Sequence, residues 1–533
     1  MGRRGTLIFI CWVFLVIFSS PAYAQTLPVL RFGIHTSGMG SLDPHRAKGS
    51  QDIMAADMLF NGLIRYVPGR MDRFEPDLAE TIPEFITQGG KQIWNVRLKR
   101  GVFFHPGPQT PAYELTADDV IFSLTKAIDP GQSVQTSNLR GMSLRKTGSH
   151  ALDIILDKPV SPLFLLPLLA NHKGGCIISR RAYLAMGAAA FGKHPVGTGP
   201  FQFGELVPGK KMVLPANPRY FRGRPQLGGV ELHFIPDNQR RKTAFLDGAL
   251  DGIIGSAGAG WLDSAENTEG VLVDIFGPGY TGLFHLNTRI KPLNDIRIRQ
   301  AIFCALDRNS FVRETNSRLI EPILAPMPKV AYPMGMTNEQ VRALGLEQKL
   351  DLVRARRLLA SAGYPQGFEL SVFVSEKRVY RESYENLKRQ LSRVGIRLKL
   401  KVIPHSEMHR RVRQDESPIV LYFTNRFNPD SYLRGFFHSD SIVRAGRFPR
   451  TNFAHYDRVD KLLDDAFLEV DPKYQAQLWS QVQIRILFDA AAYPLYCVEN
   501  CILRWDRLDY GHDLVNTRFG YPQFTEKTRI IVQ

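Results

Sequence analysis

The residues able to do chemistry in this 533-residue chain are dispersed and do not assemble into a reaction centre. His405 and His409 have the one-turn spacing with which a helix can clamp a transition metal, but no third ligand is evident, and a solvent-facing helix surface is the better account of the pair. His105, His285, His438 and His455 are too scattered to define a metal site. Cys497 and Cys501 flank Val498-Glu499-Asn500, which reads either as a hairpin turn able to bring the two thiols into bonding reach or as part of a segment carrying two small buried thiols. With Cys176 and Cys304 they show no metal-ligand spacing. The richest glycine run, Gly255-Ser256-Ala257-Gly258-Ala259-Gly260, lacks the lysine of a phosphate-cradling loop and reads as an ordinary loop. No Gly-x-Ser-x-Gly elbow and no His-Glu-x-x-His zinc motif is present. The sequence therefore gives no catalytic residues, no metal ligands and no cofactor, and the expectation is a protein that is not an enzyme.

The elements around these residues describe an exported α/β chain. Arg3 and Arg4 precede an apolar run over residues 7–18, and Ala22-Tyr23-Ala24 is a small-x-small cleavage site, so residues 1–24 read as a signal peptide and the mature chain starts at Gln25. The residue after the cleavage site is not a cysteine, which argues against a lipoprotein. The expected location is the periplasm, where disulfides persist. At this length a single core is no longer economical, since cores stop growing at about 250–300 residues, and two or more domains are expected. The formal charge is +17, an excess that can steer anions. Yet Arg354, Arg356 and Arg357 fall in one helical pattern and Arg410, Arg411 and Arg413 in another, and both read as solvated helix faces; nucleic acid is the wrong partner for an exported chain. Strand patterns at residues 29–34, 93–98, 152–156, 229–235, 368–374 and 397–403 alternate with helical ones at residues 51–63, 352–362 and 382–393. Thr116 and Asp119 have capping-box spacing, and Gly363 and Gly395 stand where helices stop.

A series of short motifs in fixed order runs through nearly the whole chain after the signal. It begins with Leu42-Asp43-Pro44, Asn61-Gly62-Leu63-Ile64-Arg65-Tyr66 and Pro76-Asp77-Leu78-Ala79-Glu80. The most distinctive block is Val96-Arg97-Leu98-Lys99-Arg100-Gly101-Val102-Phe103-Phe104-His105-Pro106-Gly107, continuing into Leu115-Thr116-Ala117-Asp118-Asp119-Val120. Gly197-Thr198-Gly199-Pro200-Phe201, Leu286-Asn287-Thr288, Asp295-Ile296-Arg297-Ile298-Arg299-Gln300-Ala301, Ala305-Leu306-Asp307-Arg308, Leu358-Leu359-Ala360-Ser361-Ala362-Gly363-Tyr364 and Asn452-Phe453-Ala454-His455-Tyr456 complete it. In this order the motifs resemble the family 5 extracellular solute-binding proteins, the group of oligopeptide-, dipeptide- and nickel-binding receptors of ABC importers. The blocks themselves read as scaffold: in residues 295–307, Ile298, Ile302 and Ala305 form one helical stripe, with Arg297 and Arg299 turned away to the surface or to ion pairs.

The resemblance implies a type II (class C) periplasmic-binding-protein-like α/β fold of three domains in two lobes joined by a hinge. By analogy, domain I would use residues 25–62, 192–278 and 488–533, domain II residues 63–191, and domain III residues 279–487. The implied function is capture of a small ligand, an oligopeptide or peptide-like solute, in the interlobe cleft by hinge closure, followed by delivery to the permease of an ABC transporter by a monomeric receptor. A non-peptide anion, a metal complex, or a peptide-binding sensor or chaperone uncoupled from import are the alternatives. In the peptide-binding members, an aspartate a few residues after an aromatic pairs with the peptide's ammonium group. The matching stretch here has Tyr422 at the aromatic position and Asn425 at the aspartate position. Asparagine can accept a hydrogen bond from an ammonium but cannot neutralise it. Arg426 beside it offers a forked guanidinium to a carboxylate or phosphate, or else points away from the cleft. Asp430 either restores a negative charge nearby or caps the turn after Pro429. Tyr422, Phe427 and Tyr432 read as ligand-stacking rings or as core, and Met39, in the turn of residues 36–41, is placed at the cleft by the same analogy.

Overall fold

A computed structural model describes residue 2 and residues 27–531, apart from 130, 134–140, 171–172, 257–260, 314–316, 333, 427 and 518–519. The signal-peptide segment and Phe427 thus lie outside the described residues.

The central element is a nine-stranded sheet, whose strands in chain order are β1 (Val29–Ile34), β2 (Glu205–Val207), β3 (Lys211–Pro215), β4 (Gly229–Phe234), β5 (Gly252–Ile254), β6 (Val271–Leu286), β7 (Ile320–Pro322), β8 (Ile419–Thr424) and β9 (Ala492–Trp505). They run in the order β8-β6-β9-β5-β1-β4-β3-β2, with β7 also paired to β9. β1 is parallel to β4 and β5, as expected for strands joined by long connections, and the remaining pairs are antiparallel. In β1 the alternation is strict on the buried side: Leu30, Phe32 and Ile34 are buried, while Arg31 points outward and forks onto Asp251 at 2.9 Å.

β6 and β9 are far longer than the others, and each crosses between two large apolar cores. The first core contains Leu30, Phe32, Trp94, Val120, Leu152 and Leu232, and takes in Phe276 of β6 and Ile502 of β9. The second contains Ile298, Val372, Tyr384, Phe436 and Trp479, with Phe284 of β6 and Tyr493 of β9. The first core also covers a four-stranded antiparallel sheet (residues 84–88, 91–97, 151–156 and 142–148 in spatial order) under the helix Ala117–Ile128. Within the second, the parallel strands Glu369–Ser375 and Arg397–Ile403 are joined by the helix Arg378–Ser392. The segment after the four-stranded sheet also reaches the second core away from the long strands: Ser161 Oγ donates to Gln475 Oε1 at 3.1 Å, both side chains fully buried, and Phe164 joins the second core, stacking on Phe467 at 5.0 Å between centroids.

Most of the motifs serve this scaffold. Asp43 of the Leu-Asp-Pro motif is buried with Lys126, at 2.8 and 3.0 Å, which ties the segment after β1 to the helix Ala117–Ile128. Thr116 and Asp119 form the expected capping box, the Thr116 N–H donating to Asp119 Oδ2 at 3.1 Å. Gly363 and Gly395 end their helices at φ +89° and +86°, where a side chain would be strained.

Four expectations are corrected. The helix expected over residues 51–63 stops at Leu59, because Phe60 is extended and Asn61 is held by Asp77 and Tyr220 at 2.9 and 3.0 Å. Arg299 is not turned to the surface: it is buried and donates to the carbonyls of Leu293 and Asp489, whereas Arg297 is exposed on Asp295. Residues 498–500 are not a hairpin turn but the middle of β9, and all four described cysteines are buried free thiols. At about 3.3 Å of rise per residue, positions four apart on a strand are separated by roughly 13 Å, beyond disulfide reach. His405 and His409 are half-buried rather than displayed on an open helix face.

Two outcomes follow. A Cβ at Gly279 would overlap the carbonyl oxygen of Val498 across the β6–β9 pair. Gly279→Ala should therefore lower stability by at least about 2 kcal/mol in urea titration, while Gly148→Ala, whose Cβ meets only Ala151 at ordinary contact distance, should leave the midpoint unchanged. Burial pushes the histidines His45 and His105 down to about 4 and His285 to about 3, the Lys126 ammonium adding to the effect at His45. All three are neutral in the folded protein at neutral pH but titrate near 6.5 once unfolded. Their contribution is complete above about pH 6.5 and is lost as pH falls toward 4, because the unfolded chain then binds protons that the folded one does not. Urea midpoints should fall between about pH 7.5 and about pH 5, and His285→Phe should flatten that dependence by up to about one proton.

Candidate functional site

The register of β6 against β9 breaks between Phe276 and Tyr280, so Gly277-Pro278-Gly279 bulges out of the ladder where the strands pass from one core to the other. The bulge gathers polar groups from distant parts of the chain. Pro278 O accepts from Asn500 Nδ2 at 3.2 Å and from Asn425 Nδ2 at 3.4 Å. Gly277 O accepts from the Thr517 N–H at 2.8 Å, and the Thr517 hydroxyl is buried without a hydrogen-bond partner among the described residues. Tyr280, next along β6, is 54% exposed.

β8 is held on β6 by a regular ladder from Thr281↔Thr424 to Leu286↔Ile419, and the chain leaves it directly into Asn425 and Arg426. Asn425 is half-buried beside the bulge. The backbone N–H of Arg426 donates to the Tyr332 hydroxyl at 3.2 Å, and its Nη2 donates to Thr451 Oγ1 at 3.3 Å. The guanidinium lies 5.4 Å from the Phe436 ring, and its Nε is buried with no hydrogen-bond partner among the described residues. Arg450, exposed at the rim, has its pKa lowered by partial burial and by the Arg426 charge.

Asp430 is buried in the first turn of the helix Pro429–Phe437 and bonds to Arg434 at 3.4 Å, with burial raising its pKa. It does not cap the turn. Asn428 does, its Oδ1 accepting from the Ser431 N–H at 2.7 Å, since Pro429 takes the first helical position. Tyr422 is 9% exposed and sits between Phe436 and Phe453, its hydroxyl accepting from Arg413 at 3.2 Å. Tyr432 is core, its hydroxyl donating to Pro326 O. Met39 packs against the first core, apart from the cluster around Tyr422.

His405 and His409 face each other through Nε2 at 3.1 Å, with Ser375 Oγ at 2.9 Å from His405 Nδ1. Burial lowers both, His409 to about 4 with help from His405, Arg413 and Lys377, so neither is charged at neutral pH. Among the described residues no group of three or more His, Cys, Asp or Glu could hold a metal ion. The structure thus brings Asn425 and Arg426 to the bulge while committing Tyr422, Tyr432 and Asp430 largely to packing. Pro278, Asn500, Thr517, Thr451 and Arg450 were not singled out from sequence. The glycine-proline-glycine run inside a strand pattern is the one signal that marks the place.

A family model described as bacterial extracellular solute-binding proteins, family 5 Middle, matches residues 73–443. Heme-binding protein A of Haemophilus influenzae is 24% identical over 479 residues, covering 84% of this chain and 83% of its own. Probable di/tripeptide-binding protein 5 of Pseudomonas aeruginosa is 27% identical over 469 residues, covering 83% and 85%. Among solved structures, MoaA of A. tumefaciens R10 in complex with mannopinic acid superposes with a TM-score of 0.77 at 30% identity, covering 95% of this chain and all of that one.

Proposed function

The chain belongs to the family 5 bacterial extracellular solute-binding proteins, and from that membership we propose that it is the periplasmic receptor of an ABC importer, capturing a small solute at the seam between its two cores. The fold is that of a type II periplasmic binding protein, and the family consists of binding proteins rather than enzymes. The observation that carries the reading is the β6–β9 crossing: two adjacent strands join the cores, and their ladder is interrupted where the polar groups of Asn425, Asn500 and Thr517 converge.

In this reading the first core and its sheets form one lobe, built from domain I (residues 25–62, 192–278 and 488–533) and domain II (63–191). Domain III (279–487) forms the other. A solute touching both lobes favours the closed arrangement by its differential affinity for it. Export by residues 1–24, a monomeric state and hand-over to permease subunits complete the proposal. Among the described residues no helix is long and apolar enough to cross a membrane.

The leading solute class is a peptide or peptide-like molecule, as in the di/tripeptide-binding relative. Asn425 favours a second reading, a non-peptide acid such as the mannopinic acid held by MoaA, because an uncharged amide at this position does not neutralise an ammonium.

Mass spectrometry of the protein released from the periplasm should identify a bound solute, and small-angle scattering should give a smaller radius of gyration on saturation with it; an unchanged radius would rule out hinge closure. Asn425→Asp should raise affinity for peptides with a free amino terminus by about tenfold in titration calorimetry, a charge-assisted pairing being worth about 1.5–3 kcal/mol. No gain would mean that this position does not face the peptide's ammonium group.

A further inference from the structure

The positive charge of the chain is concentrated in one stretch. Residues 352–413 hold fifteen Lys or Arg against five Glu and no Asp, an excess of ten out of seventeen for the whole sequence, whereas residues 25–278 and 488–533 together carry an excess of three. The stretch is one unit of the second core: the helix Leu352–Ser361, the parallel strands Glu369–Ser375 and Arg397–Ile403 with the helix Arg378–Ser392 between them, and the helix His405–Arg413. Four of its glutamates are already paired inside it, Glu369 with Lys399, Glu382 with Arg378, Glu385 with Lys388 and Glu407 with Arg411. Arg354, Arg356, Arg357, Arg393, Arg397 and Lys401 are exposed and form no ion pair among the described residues.

The fold joins these cations into a ridge. Arg356 Nη2 donates to Arg393 O at 2.9 Å, which ties the first helix to the C-terminal end of the second. Arg397, Lys399 and Lys401 then alternate on one side of a strand that pairs along a single edge, a run of roughly 20 Å from end to end. At its far end Lys401 Nζ and the Arg411 guanidinium each lie 5.3 Å from the Phe373 ring, which carries the ridge onto the last helix. Lysines on an edge strand deter pairing with another chain, and that accounts for Lys399 and Lys401. It does not account for the arginines of the two helices. Like charges spaced within a screening length of about 8–10 Å repel one another, and an anionic surface laid against them relieves that repulsion. The exposed large apolar side chains of the stretch are Val353 and Val402, so the aromatic anchors that centre a protein–protein interface are missing.

We propose that this ridge docks the protein on the acidic phospholipid headgroups of a bilayer. The proposal rests on the receptor reading only in naming that bilayer as the one that holds the permease. Spread-out cations with little apolar surface match a spread-out anionic surface, each basic side chain adding a small, salt-dependent increment. The near-neutral first lobe then faces away from the bilayer, and the search for the permease is confined to the membrane plane.

The test uses the full mature chain and large vesicles of phosphatidylcholine, alone or with roughly a quarter phosphatidylglycerol, read by co-sedimentation. The wild type should bind the acidic vesicles at about 50 mM NaCl, release them at about 500 mM, and ignore the neutral ones. The triple variant Arg357→Glu, Arg393→Glu, Lys401→Glu should partition onto acidic vesicles at least about tenfold less. A control with the same net charge, Arg100→Glu, Lys158→Glu, Arg224→Glu, changes exposed residues of the first lobe and should stay within about threefold of the wild type. If the glutamates unfold the ridge, the matching glutamine triple should show the same order of effect at smaller size. Equal binding to acidic and neutral vesicles, or equal losses in the ridge and control variants, overturns the proposal. Displacement by sodium phosphate at constant ionic strength overturns it in favour of a site for the free anion. Binding to native inner-membrane vesicles that protease treatment abolishes, with none to protein-free vesicles, overturns it in favour of an acidic protein surface. Each of these leaves the receptor reading standing, because the solute carried by the protein is measured separately by mass spectrometry and should be unchanged in the ridge variant.

Discussion

The antiparallel pairing of β6 with β9 is the constraint on which the rest of the molecule depends. One end of the pair supplies Phe276 and Ile502 to the first core and the other supplies Phe284 and Tyr493 to the second. β5 and then β1 attach to β9 on one side, and β8 attaches to β6 on the other. Every other strand of the main sheet is therefore placed by reference to these two. Their ladder cannot slip by one residue, because that would turn each buried side chain to the opposite face in both cores at once. The ladder shifts register twice, between Phe276 and Tyr280 and again between Gly282 and Leu283, and the first break, the bulge at residues 277–279, lies where the neighbouring groups are polar rather than apolar.

The chain handles buried charge in two ways. Asp43 and Lys126 neutralise each other out of contact with water, and the pair fixes the entry from β1 to the first lobe's helices. Arg241 and Arg299 have no carboxylate on the guanidinium itself; carbonyl oxygens, with Asn238 in the case of Arg241, take their donors. Burial lowers both, but carbonyl dipoles hold them in place. Against that background Arg426 stands apart, because one of its donors is buried and has neither kind of acceptor among the described residues.

The scaffold was readable where periodicity and backbone chemistry act locally. Residues 397–403 form a strand over the expected limits because Leu398, Leu400 and Val402 alternate, and Gly363 and Gly395 end helices because only glycine takes their φ at no cost. Local reading failed where distant chain segments decide. The helix from Ser50 is cut short by Asp77 and Tyr220, Arg299 is drawn inward by Asp489 O, and the turn expected at 498–500 is straightened by pairing with β6. Asn425 and Arg426 are pointed to by the resemblance to the peptide-binding members, and in the structure they stand beside the bulge. Thr451, Asn500 and Thr517 could not be named in this way, since they reach the same place only after the two long strands have paired. Asp430 and Asn428 are both capping-type residues, and the proline between them, which takes the first helical position, decides that Asn428 caps.

One feature of the ladder bears on how such a molecule is built up. Tyr280 and Val498 are direct neighbours across β6 and β9, about 5 Å apart as antiparallel partners are. Everything between them in the chain, more than two hundred residues, therefore leaves and re-enters at a single doorway. Nearly all of the second core, Phe164 apart, lies within this excursion, which leaves and rejoins the rest of the chain through two adjoining strands. An insert whose ends meet can be exchanged as a cassette without re-routing the host, so cargo preference can be altered through this segment while the host half keeps its own fold.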